Sequence, residues 1–294
     1  MKCLSHLFQI SFCLLSAAVL TQRASAITVI LQPVGDTVIT EKTSLTNTPQ
    51  GLSTNVQVGT TGPAGGSASQ RSLFKFNVAA AVPSNAIISS ATLTVRVIKT
   101  PPSPTNSIFE LRRVLADWTE PGATWHVRQP GIPWTVSGGA AGVDFSGTIS
   151  QTNFIAGNGS YTFVSSANLV ADVQDWLQNP ASNFGLAMIS QSQGINFTER
   201  TLDAREGATP PSLQVQYTIP ATPPVLSNVM LTNTDFSFTF DTESNRTYTV
   251  EYLGDLVDTN WSTLTNFGAM ATPQTILVLD PLTETNRFYR VRTP

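Results

Sequence analysis

Few side chains in this sequence could do chemistry. Outside the N-terminal apolar run there is one histidine, His126, in Thr124-Trp-His-Val-Arg128. As a general base it would need an orienting acid, and Asp117 and Glu120 are the nearest in sequence. No Gly-x-Ser-x-Gly nucleophile turn accompanies it, so His126 reads as a loop residue. Two carboxylate pairs, Asp117 with Glu120 and Asp203 with Glu206, have the residue types for glycoside hydrolysis. That reaction needs two carboxyl groups facing each other across a cleft, and sequence spacing alone places none. The chain is therefore expected to be non-catalytic.

Metal and sugar chemistry leave more room. Calcium takes several hard oxygen ligands, and Asp36, Glu41, Asp117 and Asp203 are the candidate donors. Neither EF-hand spacing nor a dense acidic loop is present. No cofactor is required, and a structural calcium ion stays an open expectation. Sugars are held by aromatic rings against their C–H faces, with polar neighbours reading the hydroxyls. Trp125 and Trp134 lie in a Gly/Pro-rich region that includes Pro130-Gly-Ile-Pro-Trp134. Trp134 is the expected stacking platform, and Trp125 reads equally as a core residue. Arg71 and Arg128 are the expected polar partners, and with Arg112, Arg113, Arg200 and Arg205 they could form an acidic-sugar surface, although Arg205-Glu206 reads rather as a structural ion pair beside the last strand.

The elements that must position these residues follow from composition. Only 12% of the 294 residues are charged, against roughly 25% in an average soluble domain. Threonine occurs 39 times, and Gly and Pro 19 times each. Thr suits half-exposed pleated surfaces, so many short strands joined by turns are expected, not a helical bundle. Met1-Lys2, the apolar run Leu7 to Leu20 and Ala24-Ser25-Ala26 read as a signal peptide over residues 1–26. The run is too short for a good membrane span. Its removal takes away both cysteines and His6, leaving 14 basic and 19 acidic side chains, a net charge of −5. That inventory excludes disulfides, thiolate nucleophiles and Cys-ligated zinc. It also argues against nucleic acid as a partner.

Alternation predicts strands at Ile27–Leu31, Asn55–Gly59, Arg71–Phe76, Ala91–Val97, Ile108–Val114, Ser160–Val164, Gly185–Ile189, Gly194–Phe197 and Ser212–Tyr217. In Ala91–Val97, Leu93, Val95 and Val97 should face inward. One segment has helical spacing instead: Leu169, Val173, Trp176 and Leu177 within Asn168–Gln178, stopped by Asn179-Pro180. A Pro-rich linker over residues 220–226 divides a main domain, 27–219, from a small β domain, 227–294.

The main segment resembles the DNRLRE domain family of secreted bacterial proteins. The resemblance runs from Asp36-Thr-Val38 through Val56-Gln-Val-Gly59, Arg71-Ser-Leu-Phe-Lys-Phe76 and Ile87-Ile-Ser-Ser-Ala-Thr-Leu-Thr-Val95. It continues through Asp117-Trp-Thr-Glu120, Ala123-Thr-Trp125, the helix, Asn183-Phe-Gly-Leu-Ala187 and Ala204-Arg-Glu206 to Tyr217. It implies an all-β jelly-roll or β-sandwich with a non-catalytic binding or structural role. The family overlaps with alginate-binding carbohydrate-binding modules. A polyuronate ligand should need clustered Lys and Arg, yet Lys42, Lys75 and Lys99 are scattered. The C-terminal segment, with Arg246-Thr-Tyr-Thr-Val-Glu-Tyr252, Trp261 and Phe288-Tyr-Arg-Val-Arg292, is similar to fibronectin-III-like tails. The expectation is a secreted protein, without a membrane span after cleavage, that binds polysaccharide or a cell-surface matrix. A structural or adhesive surface component is the alternative reading, and a small glycan-active enzyme is the third.

Overall fold

The computed structural model describes residues 26–281 and 286–293. The expected signal peptide lies outside the described residues, Ala26 excepted. The described chain divides into two compact units at Pro220/Ala221.

The first unit is a curled antiparallel β-structure. Its strands are β1 (Ile27–Leu31), β2 (Gly35–Thr40), β3 (Asn55–Thr60), β4 (Ser69–Lys75), β5 (Ile87–Lys99), β6 (Ser107–Arg113), β7 (Val127–Gln129), β8 (Ile132–Pro133), β9 (Gln151–Ile155) and β10 (Gly159–Phe163). Helix α1 (Ala167–Gln178) follows, then β11 (Leu186–Ser190), β12 (Arg200–Asp203) and β13 (Ser212–Thr218). The main path runs β1-β13-β5-β12-β3-β4-β11-β6-β9, with β10 also on β5 and β2 also on β4. β3 turns the corner: residues 55–58 pair with β12, and Gly59 and Thr60 pair with β4. Gly59 has φ +105, and a Cβ there would lie 2.5 Å from the Thr198 carbonyl oxygen. Only glycine fits a corner that is both left-handed and this close to another backbone.

β5 keeps the expected alternation. Ala91, Leu93, Val95 and Val97 are buried, while Arg96 is exposed. They join Phe74, Phe76, Phe109, Leu111, Leu186, Met188, Leu202 and Val215 in the main core between the two halves of the curl. Leu73 breaks the alternation of β4 because this strand is covered on both sides. Phe74 and Phe76 enter the main core, and Leu73 enters a second core with Ile39, Ala187, Ile189, Trp118, Trp125, Trp134 and Phe145. The second core lies under the long connection from Val114 to Gly147, whose regular pairing is mainly the short hairpin β7–β8.

Helix α1 forms where the apolar spacing predicts. Ser166 caps it by accepting a hydrogen bond from the Leu169 amide at 3.1 Å, a contact worth about 1 kcal/mol. Leu169, Val173, Trp176 and Leu177 are buried. The Gln174 side chain accepts from the Ile88 amide and donates to the Ala86 carbonyl, tying the helix to β5. The strand expected at Gly194–Phe197 is a loop instead. Its Ile195 and Phe197 carbonyls accept from the Thr198 hydroxyl and the Thr105 amide, and buried Arg200 ties down the carbonyls of Thr198 and Glu199 just after it. Those bonds fix the backbone from the side, so no strand partner is needed. β2, β9 and β12 are strands that the alternation did not reveal.

The second unit contains β14 (Ser227–Leu231), β15 (Asp235–Asp241), β16 (Tyr248–Leu253), β17 (Ser262–Phe267), β18 (Thr275–Pro281) and β19 (Phe288–Arg292). These form two three-stranded sheets, β14-β15-β18 and β17-β16-β19. Phe238, Phe240, Tyr248, Val250 and Val278 make its core. Among the described residues no helix is long and apolar enough to cross a membrane.

Candidate functional site

The site is built on the outer face of the β4-β11-β6-β9 sheet. Residues directly opposite on paired antiparallel strands point to the same face. On β6 the inward residues are Phe109 and Leu111, so Ile108, Glu110 and Arg112 point outward. Glu110 lies opposite Ile189 of β11 and Thr152 of β9, and Arg112 lies opposite Ala187. On β4, Arg71 shares its face with Leu73. The 114–147 connection covers part of this face and leaves a pocket of about 330 Å³ at its border. Arg71, Glu110, Arg112, Phe145, Gln191 and Gln193 are among its lining residues.

The polar groups are locked to one another. Glu110 accepts from the Arg112 Nε on one oxygen and from the Gln191 amide, at 3.1 Å, on the other. Arg112 Nη1 donates to the carbonyls of Ser146 and Gly147, which leaves its Nη2 without a partner among the described residues. Arg71 Nη1 donates to the carbonyls of Gly138 and Gly139, and its Nη2 donates to Gln193 at 2.8 Å. Its guanidinium carbon lies 5.5 Å from the Trp125 ring centre and 5.8 Å from that of Phe145. Burial pushes the Arg71 pKa down to about 10, so it stays protonated at neutral pH. Two buried donors in this lining, Arg71 Nε and Gln193 Nε2, have no protein partner. Buried donors are seldom left unpaired, because each costs about 1–3 kcal/mol.

The connection is shaped to hold Arg71. Asp144 is buried and accepts from the Thr135 and Ala140 amides and the Thr135 hydroxyl. That fixes the turn presenting the Gly138 and Gly139 carbonyls. Gly138 has φ +84, and a Cβ there would lie 2.5 Å from the Trp125 ring. Any side chain at this position would push the turn off both the indole and Arg71.

The expected binding residues are thus distributed differently. Arg71 lines the pocket. Trp134 is only 3% exposed, packs 5.7 Å from Phe145, and donates its indole N–H to the Thr124 carbonyl at 2.9 Å. It cannot offer a face to a sugar: the connection that carries it needs its own core, and Trp134 fills it. Trp125, 8% exposed, supports Arg71 and not a ligand directly. Arg128 donates to the Asp117 carbonyl and is not among the pocket-lining residues. Arg112 is among the arginines that the sequence marks, whereas Glu110 on β6 and Gln191 and Gln193 in the turn after β11 carry no sequence signal, since Glu and Gln at such positions ordinarily face solvent.

The candidate calcium ligands are also separated. Glu41 is exposed and accepts from the Ser69 amide. Asp117 pairs with Lys75 at 3.6 Å, and Asp203 lies 3.9 Å from Arg96. Asp36 alone joins a carboxylate group, with Glu120 and Glu206 and not with the other three. Arg205 sits in that group. It donates to Glu120 at 3.1 Å, to Glu206 through two nitrogens, and to the Val34 carbonyl. Its amide donates to Asp36 at 2.7 Å. Asp36 is 1% exposed with one oxygen unpartnered, and burial, with Glu206 and Glu120 nearby, raises its pKa to about 7. His126 is exposed and contacts the Thr46 and Ser137 hydroxyls, not a carboxylate.

Residues 27–138 match the model of carbohydrate-binding module family 96. Arg71, Glu110, Arg112 and the turn at Gly138 lie within the matched residues, while Phe145, Gln191 and Gln193 come from the rest of the unit. No curated protein matches the chain. Among solved structures, the Spr0440 glycoside hydrolase domain, Endo-D, of Streptococcus pneumoniae R6 aligns at 9% identity with a TM-score of 0.13. The alignment covers 81% of this chain and 32% of that one. The chain thus spans about a third of that neighbour's length, and a likeness this small carries no argument for shared fold or activity.

Proposed function

We propose that this is an exported, non-catalytic protein that binds polysaccharide through the outer-face pocket of its first unit. The observation that carries this is the pocket itself. Two guanidinium groups, a carboxylate and two side-chain amides are held by hydrogen bonds around about 330 Å³ of open volume. Planar groups of this kind make paired hydrogen bonds to adjacent hydroxyls, and their mutual bonds keep them from losing side-chain freedom on binding. The match to a carbohydrate-binding module family over residues 27–138 supports the same reading. A cell-surface matrix glycan would be one natural partner.

The test is affinity electrophoresis of the chain without residues 1–26, through gels containing neutral or acidic polysaccharides. Retardation that is lost in Arg112→Ala supports the proposal. Free migration in every gel overturns it and favours a structural or adhesive role for the two β units.

A further inference from the structure

The outer face carries a second feature next to the pocket. Phe154 of β9 lies directly opposite Ile108 of β6, just as Thr152 lies opposite Glu110. Phe154 and Ile108 therefore share the outward face with Glu110 and Arg112, one pair along the strands. Diagonal cross-strand neighbours on one face are about 7–8 Å apart, within reach of one sugar ring. The backbone amide of Gln191 donates to the Ile108 carbonyl at 2.9 Å, and the Gln191 side chain reaches Glu110. Gln191 thus bridges the apolar row and the polar one. Phe154 is 55% exposed and Ile108 44%, although the same sheet buries its apolar side chains under the 114–147 connection a few residues away. The connection stops short of β9 and leaves one aromatic ring open beside polar groups already in place.

We infer that Phe154, flanked by Ile108, is the stacking platform for a pyranose ring whose hydroxyls are read by Glu110, Arg112 and Gln191, and that the ligand is a neutral polysaccharide. This rests on the pocket reading above and adds the subsite and the ligand class. An aromatic ring takes the C–H face of a sugar, and Phe does so with no hydrogen-bonding cost of its own. The charge argument sets the class. Arg112 is already paired with Glu110, and both Glu110 oxygens face groups at the pocket. A uronate carboxylate brought to the free nitrogen of Arg112 would approach the Glu110 carboxylate, with like charges opposed. A hydroxyl pair meets no such conflict, because one hydroxyl can accept from Arg112 while its neighbour donates to Glu110. Arg71 adds a positive charge to this lining, but Glu110, Glu41 and Asp144 all act on that charge, and its Nη atoms already donate to two carbonyls and Gln193.

The experiment is affinity electrophoresis of the chain without residues 1–26 in gels of hydroxyethylcellulose, laminarin, glucomannan, xylan, alginate or polygalacturonate. Phe154→Ala, Phe154→Trp and Arg112→Ala are run alongside, with melting curves to confirm that each is folded. The expected result is retardation by at least one neutral glycan, weakened about tenfold in Phe154→Ala and retained in Phe154→Trp. If Arg112→Ala abolishes retardation while Phe154→Ala migrates like the parent, the pocket stands and the platform falls. If only alginate or polygalacturonate retards the protein, glycan binding stands and the neutral class is overturned. Free migration in every gel removes both.

Discussion

Of the regions of the first unit that bring arginine and carboxylate together, two do opposite things. At Asp36, Glu120, Glu206 and Arg205, the guanidinium donates to both glutamates and to a backbone carbonyl, and its own amide serves Asp36. The charges are spent inside the cluster. At Arg71, Glu110 and Arg112 the same residue types line a cavity, and Arg112 keeps one nitrogen unspent. The closed cluster fastens the β2 end of the sheet to the loop after β12, while the open one presents groups to a ligand. Charge content alone does not separate a fastening from a binding site. The separating feature is whether hydrogen-bonding capacity is left over beside open volume.

The sharpest way to break this comparison is to remove the cation from the closed cluster. Arg205→Ala leaves three carboxylates within reach of one another with no counter-charge. We expect a loss of about 3 kcal/mol in urea unfolding, toward the lower end for a broken ion pair because Arg205 is partly solvated. Glycan retardation of the folded fraction should not change. A stability loss below about 0.5 kcal/mol would show that Arg205 fastens nothing.

Asp36 gives an effect of comparable size, and its sign is set by burial. Its folded pKa of about 7 lies above the usual carboxylate value of 3.8. Between these two pH values the folded chain holds a proton there that the unfolded chain has released. Stability from this group is therefore full below about pH 4 and is lost as pH rises toward 7, by about 1.4 kcal/mol per pH unit. Above pH 7 the loss is complete. Asp36→Asn should flatten that part of the pH–stability curve and leave the protein more stable than the parent at pH 8. If the two proteins show parallel curves from pH 4 to 8, Asp36 is ionised throughout.

On the open side the effects on stability should be smaller and those on binding larger. Gln191→Ala removes one hydrogen bond to the Glu110 carboxylate and one group at the pocket. A stability change of about 1.5 kcal/mol is expected, with a fall of about five- to tenfold in glycan affinity measured by retardation. If stability falls by several kcal/mol and affinity is unchanged, the pocket side chains are fastenings too, and the comparison collapses.

The contrast between Trp134 and Phe154 shows what was legible in the sequence and what was not. The strand patterns of β5, β6 and β13 and the helix at Leu169–Leu177 announce themselves, because each has one periodic apolar face and one partner surface. Arg71 was visible as a polar group of interest. Trp134 was a reasonable platform by its Pro/Gly-rich surroundings, but a connection that crosses a sheet must bury something, and its largest ring went inward. Phe154 carries no such cue, because the alternation does not mark β9 as a strand, and which side of β9 faces solvent depends on how far the 114–147 connection reaches. Coverage of one element by another distant in sequence leaves no local periodicity to detect. The same holds for Glu120 and Glu206, which meet Asp36 only through the packing of three separate loops and strands.

The smallest expected effect tests whether the closed cluster is closed to metal as well. Asp36, Glu120 and Glu206 each offer an oxygen within 4.8 Å of the others, a set of hard donors that calcium could use. Arg205 already supplies a positive charge among them, and an ion would have to compete with its hydrogen bonds to Glu120 and Glu206. Calcium takes six to eight oxygens, of which these three carboxylates would supply only part. The melting temperature in excess chelator and in millimolar calcium should therefore agree within about 1 °C, since an ion that binds the folded state alone would raise it with concentration. A rise with calcium that disappears in Asp36→Asn would show that the ion displaces Arg205, and that the fastening is a metal site after all.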